Sequence, residues 1–312
     1  MRKWILTTLV LCFLPFLIVK MKNKDIIVEP SSLSVSEGDL WHMDLFSPEM
    51  NETIKVDVWT PKGYTINKDY SVLYMHDGQN LFDASSTWNG QAWEIDSTAS
   101  KLIQHGIIRP TIVVGIYSTD TTRLGDLMPE KPLQYLQNDT VKNFIDMMCR
   151  GNYRADEYLA FIVNTLKPVI DENFSTDTSL KATTVMGSSM GGLISIYAMC
   201  EYPQVFGSAG CLSTHWTGAL GGNEDFPGAM RRYLIENLPQ DTIHRLYMDN
   251  GDCPYDSVYI PYYKEMVALA DSLGYNNGRL GSGIYRGHAH NEASWSQRVA
   301  TPLTFLLDNM NK

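Results

Sequence analysis

Ala182-Thr183-Thr184-Val185-Met186, followed by Gly187-Ser188-Ser189-Met190-Gly191-Gly192, decides how the rest of the chain is read. The first five residues are apolar and β-branched and suit a buried strand. The Gly-x-Ser-x-Gly that follows suits a sharp turn, and residues 190–201 have the composition of a buried helix. Strand, tight turn with a serine, and helix together form the context that a nucleophile elbow requires. The glycines two residues either side of the serine let the chain double back, and Gly192 lets the helix pack close to the sheet. Ser188 occupies the variable position of the pattern, so Ser189 is the candidate nucleophile.

Outward from this turn, apolar β-rich runs alternate with segments of helical period. Strands are expected at 54–59, 72–75, 111–117, 182–186, 207–212, 244–249 and 283–286, and helices at 92–104, 156–170, 190–201, 262–273 and 293–309. This rhythm predicts an α/β chain of the α/β-hydrolase fold, its central sheet mostly parallel and covered by helices on both faces. Two connections, 118–154 and 213–232, exceed the ~2 to 6 residues usual in such units and are candidate substrate loops.

Composition narrows the function classes. Of 312 residues, 44% are hydrophobic and 19% charged, enough apolar matter for one sizeable core and unlike a disordered chain. The formal net charge of -10, with no long Lys/Arg run, argues against nucleic acid as a partner. Met1-Arg2-Lys3 followed by the apolar stretch from Trp4 to Val19 has the layout of a secretory signal. Residues 1–20 are read as a signal peptide or N-terminal anchor, 21–38 as a lead-in, and 39–312 as the α/β-hydrolase domain. Export to the periplasm or the extracellular space is therefore expected, with membrane contact only through an uncleaved anchor. Cys149, Cys200, Cys211 and Cys253 are widely spaced without a C-x-x-C pair, so no metal, redox motif or cofactor is expected. Buried free thiols are the reading for Cys200 and Cys211, in apolar runs.

A serine hydroxyl needs a base, and the fold orders its triad serine, acid, histidine along the chain. His288-Ala289-His290 stands between the last expected strand and the last helix, where that order places the imidazole. His290 is preferred because Asn291 to Trp295 open the helix directly after it; no Cys, Asp or Glu cluster completes a metal-ligand set around the pair. After the strand at 244–249 the acid is Asp249, Asp252 or Asp256, and a carboxylate on the loop reaches an imidazole more readily than one at the strand end. Two backbone donors must face the developing oxyanion. Met190 supplies one; the loop His76-Asp77-Gly78-Gln79-Asn80, after the early strand at 72–75, supplies the Gln79 N–H as the other. Substrate-pocket candidates are His76, Asp77, Trp88, Tyr117, Arg123, His215 and Trp216. For His76 a structural role is the simpler reading.

The motifs VLYMHDGQNLFD (72–83), Trp93-Glu94-Ile95-Asp96, GSSMGG (187–192) and GHAHNEASW (287–295) together resemble the putative-esterase family. That family is typified by enterochelin-esterase-like proteins, feruloyl and acetyl-xylan esterases, S-formylglutathione hydrolase and mycolyltransferases. The resemblance covers roughly residues 40–308. It implies that the histidine before Asn-Glu-Ala, His290, is the base. It further implies that the acid is an Asp shortly after a Gly-Thr turn; here the turn reads Gly251-Asp252, and the rule points to Asp256, with Asp252 second. The implied activity is hydrolysis of a small carboxylic ester, carbohydrate-linked or siderophore-like, through an acyl-enzyme. Acyl transfer by the same machinery is the alternative, and a catalytically silent binding protein the third reading.

Overall fold

The computed structural model describes residues 17–21, 24–119, 121–218 and 222–309. Of the expected leader, 1–16 lie outside the described residues. Among the described residues no helix is long and apolar enough to cross a membrane.

The apolar, β-branched runs assemble into one sheet. Its strands are Leu17–Met21 (β1), Lys24–Pro30 (β2), Asp39–Ser47 (β3), Glu52–Thr60 (β4), Ser71–His76 (β5), Thr111–Ile116 (β6), Thr183–Ser188 (β7), Ser208–Leu212 (β8), Arg245–Gly251 (β9) and Leu280–Tyr285 (β10). They lie in the order β1-β2-β3-β4-β6-β5-β7-β8-β9-β10. The first four, and the join of β4 to β6, are antiparallel; from β6 to β10 every pairing is parallel. β5, β6, β7 and β8 are buried along their full length, as strands covered on both faces must be. At the edge, β10 is half exposed, and its Leu-Gly-Ser-Gly-Ile-Tyr sequence is correspondingly less apolar. All seven expected strands are present with their ends shifted by a few residues. β2 lies within the lead-in 21–38 and pairs with β3, whose alternation of polar and apolar residues fits a sheet packed on one face.

The helices are Ile95–Gln104 (α1), Arg123–Leu127 (α2), Asp139–Cys149 (α3), Ala155–Ala160 (α4), Lys167–Asn173 (α5), Met190–Glu201 (α6), Asp225–Asn237 (α7), Asp256–Ser272 (α8), Glu292–Arg298 (α9) and Ala300–Leu306 (α10). Successive strand residues point to opposite faces and so divide the core in two. Val72 and Tyr74 face a cluster containing Leu159, Ile162, Leu193 and Tyr233, whereas Leu73 and Met75 face one containing Ile95, Leu102, Trp295 and Leu303. Three expected helices differ from the reading. That at 156–170 is interrupted by a π-helical stretch, Phe161–Leu166, between α4 and α5. The last, 293–309, is split, because Pro302 has no N–H to bond back to the carbonyl of Arg298. α8 begins at Asp256 rather than 262, with Pro261 inside it. The long connections are themselves partly helical: α2 and α3 lie in 118–154, and α7 begins within 213–232. Cys149, Cys200, Cys211 and Cys253 are all free thiols.

This strand order fixes where a ligand can sit. From β5 the chain steps outward to β6 on one side, and from β7 to β8 on the other, so the loops leaving the carboxyl ends of β5 and β7 part and leave a crevice. The elbow and the His76–Asn80 loop border it. The glycines of the elbow are sterically required there. A Cβ on Gly187 would lie 2.9 Å from the Gly191 backbone, and one on Gly192 only 2.4 Å from Thr214 Oγ1. We therefore expect Gly192→Ala to lower stability by about 1–3 kcal/mol, the scale of overpacking. Gly228→Ala, in α7, where the nearest atom to a new Cβ is Arg231 Nη2 at 3.7 Å, should be neutral or stabilising. Urea unfolding midpoints of the two variants test this; equal midpoints contradict it.

Candidate active site

Ser189 stands between β7 and α6 with φ 56° and ψ -118°, a backbone conformation that non-glycine residues rarely hold. It is anchored on both sides: its N–H donates to the Leu212 carbonyl at 3.0 Å, and its carbonyl accepts from His215 N–H at 3.2 Å and Gly192 N–H at 3.1 Å. The Met190 and Gln79 N–H groups donate to no group among the described residues. The two loops touch, since a Cβ on Gly191 would lie 3.4 Å from His76 Cβ.

The loop after β5 is held by charge. Asp77 adopts the left-handed conformation at φ 57°, and its carboxylate accepts both Nε and Nη2 of Arg123, at 2.6 and 2.7 Å, and the Ser118 hydroxyl at 2.6 Å. Burial pushes this carboxyl up, but the Arg123 guanidinium and the hydrogen bonds outweigh it and hold Asp77 below the usual carboxylate range. Gln79 is fixed through its side chain: Nε2 donates to Ser118 Oγ at 3.0 Å, and Oε1 accepts from Ser118 N–H at 3.1 Å.

On the far side of the elbow, His290 Nδ1 lies 2.6 Å from Asp256 Oδ1. Asp256 is fully buried at the first position of α8, and its other oxygen accepts Ser213 Oγ at 2.6 Å and Gly251 N–H at 2.8 Å. Burial raises this carboxyl, yet the hydrogen bond and charge of His290, with Ser213 and Gly251, bring it below the ordinary value. Edge-on contacts from Trp295 and Tyr259, with ring centroids at 5.1 and 5.7 Å, orient the imidazole. The other two carboxylates are engaged elsewhere. Asp249 forms a fully buried ion pair with Arg298, and Asp252 accepts Gly287 N–H at 2.7 Å. His288 turns to the Ser294 carbonyl at 3.0 Å.

The Ser189 hydroxyl makes no hydrogen bond to His290 in this structure. The serine and the pair are joined through His215, whose N–H holds the Ser189 carbonyl and whose Nδ1 lies 2.6 Å from the hydroxyl of Tyr259, the ring that abuts His290. Among the pocket candidates, His76, Asp77, Arg123 and His215 lie around the elbow. The other three are placed differently. Trp88 is 86% exposed on the loop whose Asn89 donates to Glu292 Oε2 at 2.7 Å, Tyr117 donates to Asp57 Oδ2 on β4 at 2.9 Å, and Trp216 is fully buried in the core. Sequence reasoning passed over Ser213, Tyr259 and Arg298. Ser213 had one signal, its place immediately beyond the carboxyl end of a strand, where catalytic loops begin.

A family model described as "Putative esterase" matches residues 47–256, well over half the chain. The chain belongs to this esterase family. A relative, the uncharacterized protein YbbA of Bacillus subtilis (strain 168), is 38% identical over 257 residues, covering 80% of this chain and 90% of that protein. The endo-1,4-beta-xylanase/feruloyl esterase of Xylanibacter ruminicola is 25% identical over 185 residues, 57% of this chain and 22% of that protein. Among solved structures, the enterobactin esterase FES of Shigella flexneri superposes with a TM-score of 0.65 at 16% identity, over 89% of this esterase and 60% of that chain. The BES protein of Bacillus cereus gives 0.61 at 19% identity, over 89% of this esterase and 98% of that chain. These likenesses are at the level of the fold, which is the α/β-hydrolase fold.

His76 supplies a stability signature of the site. It is buried with Nδ1 2.8 Å from the Tyr158 hydroxyl and Nε2 without a partner, and burial lowers its pKa from 6.5 to about 4. Between these two values the unfolded chain binds a proton that the folded esterase refuses, so stability falls as pH drops from about 6.5 toward 4. The shift corresponds to about 3 kcal/mol across that window. His76→Gln should flatten this part of the pH dependence of the urea midpoint relative to wild type; an identical slope contradicts it.

Proposed function

We propose that the esterase is a serine carboxylic-ester hydrolase working through an acyl-enzyme, with Ser189 as nucleophile, His290 as general base and Asp256 as the acid that orients it. The observation that carries the reading is the buried Asp256–His290 pair at 2.6 Å, one aromatic ring away from the residue that clamps the strained serine turn. Ser189 Oγ attacks the ester carbonyl carbon while His290 Nε2 takes its proton. The imidazolium that forms is stabilised by Asp256, and the Met190 and Gln79 N–H groups receive the oxyanion. Collapse breaks the carbon–oxygen bond to the alcohol, which leaves with the proton from His290. Water then attacks the acyl-enzyme through the same base, releasing the acid and restoring the serine.

The substrate class we propose is a small ester, carbohydrate-linked or siderophore-like, in keeping with what the names of the feruloyl and enterobactin esterases say of those proteins. Export directed by residues 1–20 accompanies this reading, supported by the basic start and apolar run of the sequence. Fractionation of expressing cells should find the protein outside the cytoplasm; full cytoplasmic retention would sink the export reading.

Kinetics on an aryl ester test the chemistry. Ser189→Ala should cost about 10⁶ in kcat, and Asp256→Asn, which removes the tautomer lock while keeping the shape, about 10⁴. Unimpaired turnover by Ser189→Ala rules the nucleophile out.

A further inference from the structure

A small cavity of about 90 Å³ opens beside the elbow, lined by Leu124, Met128, Phe144, Met148, Met190 and His215, with Gly218 at its margin. Two features tie it to the reacting centre. Met190 follows Ser189 directly and offers one of the free N–H groups, and His215 holds the Ser189 carbonyl. Its remaining walls come from the 118–154 insertion: Leu124 from α2, Met128 just beyond it, Phe144 and Met148 from α3. Apart from His215, all of these side chains are apolar. His215 is itself unsuited to a charged group, because burial lowers its pKa to about 4, leaving a neutral ring at pH 7.

We propose that this cavity is the acyl subsite and that its size restricts the esterase to short aliphatic acyl groups, of about two to four carbons. The inference rests on the serine reading above and narrows its substrate class to short-chain esters, such as those on a carbohydrate, and away from aromatic or siderophore-like acyl groups. An apolar cavity of about 150 Å³ holds one benzene. A cavity of 90 Å³, open to solvent past the exposed Met148, accommodates a short chain within its walls and leaves much of an aromatic ring outside them. An apolar wall likewise disfavours a hydroxylated or charged acyl chain, whose polar groups would lose their water without gaining partners. The three methionines bend more readily than branched side chains, so the limit is one of volume more than of shape.

The test is a series of p-nitrophenyl esters, acetate, butyrate, octanoate and benzoate, run on wild type, Met148→Ala and Phe144→Ala. Wild type should turn over acetate or butyrate with kcat/KM at least of the order of 10-fold above octanoate and benzoate, the scale at which a hydrophobic pocket discriminates by methylenes. At least one variant should narrow the octanoate-to-acetate gap several-fold; reading this as a ratio within each variant makes it insensitive to loss of folded protein. A flat chain-length profile in wild type, a preference for benzoate, or a ratio unmoved in both variants overturns the proposal. The profile is read on wild-type activity whichever group attacks. Failure of the nucleophile, seen as full activity in Ser189→Ala, is thus a separate outcome from failure of the pocket. Absence of turnover on every ester overturns both.

Discussion

The backbone at Ser189 is the constraint on which the site depends. Holding a non-glycine residue at φ 56° and ψ -118° costs of the order of 1–3 kcal/mol and persists only where the surroundings over-determine it. Here they do so from three sides: the Ser189 N–H donates to the Leu212 carbonyl while His215 and Gly192 N–H groups donate to its own carbonyl, Gly187 lies against Gly191, and Gly192 lies against Thr214. In the proposed mechanism this one turn presents both the nucleophile and, in Met190 at the first position of α6, an N–H that has no acceptor within the helix.

Around that turn the site is built from buried charge that is largely matched, with Arg298 Nη1 left without a partner. Asp256 is buried, but the His290 ring, the Ser213 hydroxyl and the Gly251 N–H satisfy its oxygens. Beneath it the Arg298–Asp249 pair extends the network, with Arg298 Nη2 reaching Ser213 Oγ at 2.7 Å and standing 3.9 Å from Asp256 Oδ2. A carboxylate so enclosed keeps its charge without mobile water. It can therefore hold the imidazole in one tautomer and answer the positive charge that appears on it with little reorganisation.

Much of this was legible in the sequence because it depends on short-range chemistry. The G-x-S-x-G turn, the continuous apolar strands and the His-x-His before the last helix are each set by a few adjacent residues, and each lies where they place it. What was not legible depends on partners distant in the chain. Ser213 matters because Asp256, Trp295 and Arg298 converge on it, and no local pattern announces a three-way contact. Trp216 looked like a pocket wall because an indole is equally at home in a core, and only packing separates the two. Tyr117 leaves β6 next to Ser118 but turns to Asp57, a choice made by a buried carboxylate sixty residues earlier. Of the helices within 118–154, α2 is only five residues long and has no side-chain cap, whereas α3, eleven residues opened by the Asn138 cap, carried a local signal that the reading missed.

The bidentate bridge from Arg123 to Asp77 has a consequence for how such a protein can diversify. The segment that walls the small cavity also supplies the strut for the loop that carries Gln79, the second oxyanion donor of the proposed mechanism. Selectivity and rate are therefore not independent modules. A graft that exchanged this insertion for another, to admit a different substrate, would remove a brace from the reaction centre along with the old walls, and would have to bring its own cation to keep the Asp77 turn in place.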